Sequence, residues 1–298
     1  MSVDVTVVIL SRNRLNFLIE CLKSVTAQKG KNYNIIVSEN STTDTIFKYI
    51  KQNYKDIKII KRANLSSADH FMTVISECST EFIVIFHDDD IMLPNYINDM
   101  HASLAKNIDY SAIACNAYIN RKNKNTYQKF FYHPSVSITT AHDLIKSYCR
   151  FSSNKPAPFP SYMYRTKYLK EYMVKPEISG KYSDVITLMG VLNKGNFLWL
   201  SKCLMEYRIH KTNDSGSESI SDRKKLLNYF SGHVKQSDEP ILLLKYRLKY
   251  LFRIKVLTIL KNPRKYFISL YKYRRSCCIL FYYFVKCCFL NLKGVFTR

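Results

Sequence analysis

Glu81-Phe82-Ile83-Val84-Ile85-Phe86-His87-Asp88-Asp89-Asp90 is the stretch that decides the fold. Its first six residues are mostly apolar and β-prone, the pattern of a buried strand. Three carboxylates follow where such a strand would leave a sheet. Adjacent like charges repel, and burying them without partners is costly. A divalent cation or an array of hydrogen-bond donors would relieve both problems. On an extended backbone Asp88 and Asp90 would project to the same side. Paired carboxylates suit Mn2+ or Mg2+, which keep coordination positions open for phosphate oxygens. An acidic surface turn is the plainer alternative, because turns and helix caps use aspartate freely.

Working outward from that strand, apolar runs and helical spacings alternate. Residues 3–10 and 34–38 read as strands, and residues 15–28 carry Leu15, Leu18, Ile19, Leu22 and Val25 at helical spacing. Asp44 opens a further helix as an N-cap, residues 57–61 form a third strand, and residues 67–78 a helix before the strand at 82–86. Strand–helix alternation calls for an α/β fold, a mostly parallel central sheet with helices on both faces. Ligands of such sheets bind beyond the carboxyl ends of the strands. Ser11–Arg14, Glu39–Asp44, Asn64–Ala68 and Asp88–Asp90 all fall at strand ends, so four polar clusters converge on one crevice. Past residue 105 the pattern loosens. Residues 113–118 and 196–200 read as strands, 142–148 and 183–192 as helices, 155–160 as a rigid proline-rich segment, and 211–222 as a polar loop.

Composition narrows the class. The chain has 298 residues but only 7 glycines, and contains neither G-x-G-x-x-G nor G-x-x-x-x-G-K-[ST]. A dinucleotide site and a P-loop are therefore unexpected. No zinc spacing and no G-x-S-x-G elbow occurs. The opening strand carries Asp4 and lacks the basic start of a signal peptide. Nine cysteines without metal-like pairing suggest reduced thiols in a cytoplasmic protein. The pairs Cys277-Cys278 and Cys287-Cys288 read as apolar filler, with lipid modification a weak alternative.

Charge is unevenly placed. Residues 241–298 hold 14 Lys and Arg and no Asp or Glu, leaving 32 basic against 23 acidic residues in the first 240. Basic and apolar groups alternate along this tail. Its longest apolar run, Cys277 to Val285, is far short of the roughly 20 residues that a spanning helix needs. The tail reads as a basic amphipathic helical segment lying on an anionic membrane surface. A core-packing cap with a solvated basic side is the alternative. The expected organisation is a donor-binding half over 1–100, an acceptor-binding half over 101–240, and the tail.

Several of these pieces together resemble the family-2 glycosyltransferases, inverting GT-A fold enzymes that use nucleotide-diphosphate sugars. Residues 5–14 resemble the family's opening strand and P-T-x-N-R loop, with Leu10 where proline is usual. Leu22, Ser24 and Gln28 match its first helix, and residues 35–44 resemble I-I-V-x-D-N-x-S-x-D, with Glu39 for the usual Asp. Asn64 to Ala68 resembles N-x-G-x-x-x-A, and His87 to Ile97 resembles the metal motif and the proline-led helix after it. Ser183-Asp184 stands where the family has E-D, and Tyr207-Arg208-Ile209-His210 resembles Y-R-x-H. The motifs run in the family's order over residues 3–215.

The resemblance implies roles. Asp90, Asp88 and His210 would hold Mn2+ or Mg2+. Ser11, Asn13, Arg14, Glu39, Asn64, Asp88 and Asp89 would bind the donor nucleotide, with Glu39 on the base. Arg14 would face its phosphates, or else form a salt bridge on a helix face. Arg208 would meet the acceptor or the diphosphate, and Asp184 would be the general base. Tyr162, Tyr164 and Trp199 read as core. The implied protein is a cytoplasmic enzyme, peripheral on the inner face of the cell membrane. It moves a sugar from a UDP-linked donor to a saccharide acceptor carried on polyprenyl diphosphate, in surface-polysaccharide synthesis. Its partners include no nucleic acid. Two rivals stand beside it. A nucleotidyltransferase would need a glycine-rich activation loop, and Ser11–Arg14 has no glycine. A nucleic-acid-binding protein would explain the net charge of +23 but not carboxylates at strand ends.

Overall fold

The computed structural model describes residues 3–252 apart from 31, 122–127, 150–153, 173–177, 179, 211–218 and 235–238. The first half alternates β1 (Val5–Ser11), α1 (Leu15–Thr26), β2 (Tyr33–Glu39), α2 (Thr45–Asn53), β3 (Lys58–Lys61), α3 (Ser67–Glu77) and β4 (Phe82–His87). A two-residue β5 (Ile91–Met92), α4 (Tyr96–Ala105) and the long β6 (Tyr110–Arg121) follow. Then come β7 (Gln128–Lys129), β8 (Val136–Ile138), α5 (Ala141–Tyr148), β9 (Tyr162–Arg165), α6 (Thr166–Glu171), α7 (Ser183–Leu192) and β10 (Asn196–Ile209). Helices α8 (Ile220–Ser231) and α9 (Glu239–Tyr246) and a wider helical turn over Arg247–Phe252 complete the described chain.

The strands among the described residues form one sheet in the order β3-β2-β1-β4-β9-β6-β10-β5, with β7 on β6 and β8 on β10. The run β3-β2-β1-β4 is parallel throughout. Strand β9 runs antiparallel to both β4 and β6, and β6 pairs β10 in parallel. The expected parallel sheet is thus complete over the first half, and the second half is mixed.

Side-chain alternation divides the core. Val5, Val7 and Ile9 of β1, with Phe82, Val84 and Phe86 of β4, pack towards α1, α2 and α4. Val8, Ile83 and Ile85 face the other way, towards α3, α5, α7, α8 and α9. Period-two alternation produces this two-sided burial, and each such apolar side chain contributes about 1.5–3 kcal/mol. Tyr162, Tyr164 and Trp199 lie in the second core, where Trp199 Nε1 donates to Tyr162 Oη at 2.7 Å.

The parallel register brings strand ends side by side: Ser11 pairs with Glu39, Leu10 with His87, and Glu39 with Lys61. Packing continues past residue 240. Leu242 and Tyr246 are fully buried, and the Tyr246 hydroxyl donates to the Arg223 carbonyl at 3.0 Å. The first turns of the basic tail thus belong to the core, and the tail beyond residue 252 lies outside the described residues. No helix of the described residues is long and apolar enough to cross a membrane. Among these residues Cys21, Cys78, Cys115, Cys149 and Cys203 form no disulfide.

Candidate active site

The chain turns as soon as β4 ends, and the Asp90 N–H donates back to the His87 carbonyl at 3.3 Å. Asp88 and Asp90 therefore do not share one side of an extended strand as the alternation predicts. Asp88 and Asp89 share Arg14 as a partner, while Asp90 turns to the end of β10. Asp88, fully buried, accepts from the Arg12 N–H at 3.1 Å and pairs with Arg14 Nη2 at 2.7 Å. Asp89 Oδ2 meets Arg14 Nη1 at 2.7 Å and His210 Nε2 at 2.9 Å. Asp90 Oδ1 accepts from the Arg208 N–H at 3.0 Å, while its Oδ2 is buried with no hydrogen-bond partner among the described residues.

These contacts set the ionisation of the turn. Burial pushes the Asp88 carboxyl up to about 6, against the pull of Arg14. Burial and the Asp89 charge hold Asp90 well above the usual carboxylate range, the Arg208 N–H offsetting only part. Burial also opposes ionisation of Asp89, but His87, Arg14 and His210 outweigh it and leave its pKa lowered. A buried, unpartnered carboxylate oxygen beside a second carboxylate is an arrangement that a divalent cation satisfies.

The cluster suited to a cation differs from the set expected from sequence. Candidate ligand atoms of His87, Asp89 and Asp90 all lie within 4.8 Å of one another. Asp88 lies outside this cluster and pairs with Arg14, as Asp89 also does. His210 holds Asp89 and stacks on Phe17, with ring centroids 4.4 Å apart.

Arg208, expected at the acceptor or the diphosphate, lies buried beneath the turn's backbone. Its guanidinium donates to the carbonyls of Asp89, Asp88 and Phe17 and to Glu20, and it sits over the Phe17 ring. Its part is to hold the turn against α1.

The loop from Ser11 to Arg14 is built with equal care. Asn13 adopts a left-handed conformation (φ 55°), which asparagine tolerates. Its N–H donates to Ser41 Oγ at 2.7 Å, and its Oδ1 accepts from the Thr42 N–H at 3.2 Å. Asn64, also left-handed (φ 52°), accepts from Arg12 Nη2 at 2.9 Å. Asn40 bonds reciprocally with the Leu65 backbone at 2.9 and 2.7 Å. Glu39 is fully buried: Oε1 accepts from the Ser41 N–H at 2.6 Å, and Oε2 has no hydrogen-bond partner among the described residues. Asp44 stands at the N-cap of α2 without a capping bond and pairs with Lys61.

Asp184 sits in the first turn of α7, a helix start with no side-chain cap. Burial pushes its carboxyl up to about 6, against the N–H groups of Val185 and Asp184 and the cations Arg223 and Lys181. Its Oδ1 lacks a hydrogen-bond partner among the described residues. Asp184 lines a cavity of about 220 Å3 together with Ser11, Arg12, Arg14, Asn40 and His87. The structure thus brings the end of β1, the residue after β2, the end of β4 and the start of α7 to one space.

The same cavity is lined by residues that sequence reading passed over: His70, Phe71, Phe159 and Lys181. Lys181 precedes Asp184 by three residues and was open to notice. His70 and Phe71 looked like members of an amphipathic helix, and Phe159 like part of a proline-rich spacer. Arg223, whose guanidinium lies between the rings of Tyr182 (4.3 Å) and Tyr250 (3.9 Å), carries no local signal.

Residues 6–172 match the model of the glycosyl transferase family 2. The chain belongs to this family. The enzyme is therefore a glycosyltransferase, and its sheet and helices match the GT-A fold. Among solved structures, residues 1–349 of TarS from S. aureus superpose with a TM-score of 0.60 at 15% identity. That match covers 84% of this chain and 72% of the other. The complex of the same TarS fragment with UDP-GlcNAc gives a TM-score of 0.61 at 15% identity, over 84% and 73% of the two chains. At that identity the likeness is one of fold. No curated protein matches the glycosyltransferase's sequence.

Proposed function

We propose that this glycosyltransferase moves a sugar from a UDP-linked donor to a saccharide acceptor, with inversion at the anomeric carbon. One observation carries the reading: Asp184 lines the same cavity as Arg14 and His87, which belong to the aspartate-turn assembly. A base and a leaving-group site in one space is what in-line displacement requires. The UDP-GlcNAc and UDP complexes of TarS support a uridine nucleotide as the donor class.

In this mechanism Asp184 takes the proton of the acceptor hydroxyl as that oxygen attacks the anomeric carbon. The bond from that carbon to the diphosphate breaks, and its electron pair leaves with the nucleoside diphosphate. A carboxyl raised to about 6 is mostly ionised at neutral pH and basic enough to accept the proton. His87, Asp89 and Asp90 would hold the divalent cation, with Mn2+ suiting a mixed imidazole and carboxylate set. When bound it supplies positive charge for the departing phosphates. Arg14 orders Asp88 and Asp89 for that task. Glu39 Oε2, buried and unpartnered, is suited to accept an N–H from the base.

The acceptor is taken to be lipid-linked, carried to the enzyme at a membrane surface by the basic tail. Binding of UDP-, GDP- and dTDP-sugars with and without Mn2+ tests the donor reading, because a ligand of the native state raises Tm. UDP-sugars are expected to stabilise the enzyme in the presence of Mn2+. Stabilisation by GDP- or dTDP-sugars alone would refute the assignment of the base.

A further inference from the structure

The imidazole of His70 is 6% exposed, lines the cavity, and lies one turn into α3. The start of that helix is fixed. Ser66 Oγ accepts from the Asp69 N–H at 3.1 Å, and the His70 N–H donates to the Ser66 carbonyl at 2.9 Å.

One edge of the ring is occupied. His70 Nε2 lies 2.8 Å from Ser38 Oγ, and the same oxygen accepts from Arg62 Nε at 2.9 Å. Arg62 is held in turn by Glu77, with Nη1 2.7 Å from Oε1. Ser38 is fully buried, and no other acceptor for its hydroxyl proton is found among the described residues. Donation from Ser38 to Nε2 gives that proton a partner, while the Ser38 backbone acts on the same ring and favours its protonated form. Nε2 is then an acceptor, and the ring proton sits on Nδ1. No side-chain partner of Nδ1 is found among the described residues, and the His70 side chain lines the cavity.

We propose that His70, fixed as the Nδ1–H tautomer by the Glu77–Arg62–Ser38 chain, donates a hydrogen bond from Nδ1 to an acceptor oxygen of the donor nucleotide-sugar. The inference rests on the donor reading above and adds a binding residue to it. The ring stays uncharged in this role, because burial, with help from Arg62, pushes its pKa down to about 4. A neutral donor selects an oxygen without adding to the charge that Arg12, Arg14 and Lys181 already bring to the cavity. The oxygen belongs either to the nucleotide or to the sugar, and the two sources separate in binding.

The test is titration calorimetry with UDP and with UDP-GlcNAc, in the presence of Mn2+, on the full chain. His70→Gln keeps a group near Nε2 for Ser38 and removes the Nδ1 donor. His70→Asn places an amide N–H near Nδ1. The expected result is an about tenfold loss of donor affinity in His70→Gln, with part of it restored in His70→Asn. Equal loss for both ligands places the oxygen on the nucleotide, and loss for UDP-GlcNAc alone places it on the sugar. Unchanged affinity for both ligands in a folded His70→Gln would overturn the proposal. So would a 15N imidazole spectrum showing His70 as the Nε2–H tautomer, which needs no ligand and reads the side-chain network directly. If the wild-type enzyme binds neither ligand, the donor reading fails, while the tautomer measurement still decides how Ser38 orients His70.

Discussion

The backbone N–H of Arg208 donates to Asp90 Oδ1 at 3.0 Å, joining the last residue of the aspartate turn to the end of β10. The guanidinium of the same residue reaches the carbonyls of Asp88 and Asp89. Two motifs far apart in sequence are thus one object: Arg208 fixes the backbone on which the three carboxylates of the turn are mounted.

Arg208→Ala should therefore lower stability as well as activity. It removes charge-assisted bonds to three carbonyls, while the Glu20 partner is largely exposed and adds little. A loss of roughly 2–3 kcal/mol is expected in urea unfolding. A variant as stable as wild type would mean that the turn holds itself.

Asp184→Asn separates chemistry from binding. Transfer should fall by roughly 10²–10⁴-fold while donor affinity stays within a few-fold of wild type. The same substitution should raise Tm at pH 7. Burial raises this carboxyl to about 6, so the folded state favours the protonated form. The stability cost of the ionised form is present above about pH 6 and vanishes below the unfolded value near 4. The Tm gain of Asp184→Asn should fade over that window.

The pH profile of transfer follows with the same sign. A base with a pKa of about 6 makes the rate rise with pH through that value. Arg223 holds the pKa of Asp184 down, so Arg223→Met should shift the acid limb to higher pH. An unshifted limb in a folded variant would show that Arg223 only packs between Tyr182 and Tyr250.

The tail should be cut after Phe252. Deleting residues 253–298 should leave fold and donor binding intact and abolish sedimentation with anionic vesicles, since membrane-adjacent basic residues contribute about 1 kcal/mol each. Deleting from residue 241 removes the buried Leu242 and Tyr246 and should destabilise the domain. Full-length chain that ignores anionic vesicles at low salt would refute the membrane reading.

Much of this architecture is legible in the chain. Strands β1 to β4 announce themselves because they are apolar runs broken by polar ends, β1 and β4 being buried on both faces. Their parallel pairing then brings the polar ends together. Strands β5 and β9 are too short for periodicity to register, and β10 hides behind Ser201 and Lys202, where its pairing with β6 shifts register. At the site, residue types were readable but directions were not. Asp88 reads as a metal ligand, and the turn leaves it outside the cluster of His87, Asp89 and Asp90; Arg208 reads as a phosphate contact, and packing turns it towards α1. His70 was hidden because a histidine on an amphipathic helix reads as core. Leu242 and Tyr246 were hidden because they look like the rest of the basic, apolar tail.

The central claim is that the aspartate turn binds a nucleotide-sugar through a divalent cation. It is tested most directly by the Tm shift that UDP-GlcNAc produces with Mn2+ or with EDTA, in wild-type and Asp90→Asn enzymes. The expected result is a shift of several degrees for wild type with Mn2+. Little shift is expected in EDTA, and none in an Asp90→Asn variant of otherwise native stability. Equal shifts with Mn2+ and EDTA, retained in Asp90→Asn, would contradict it.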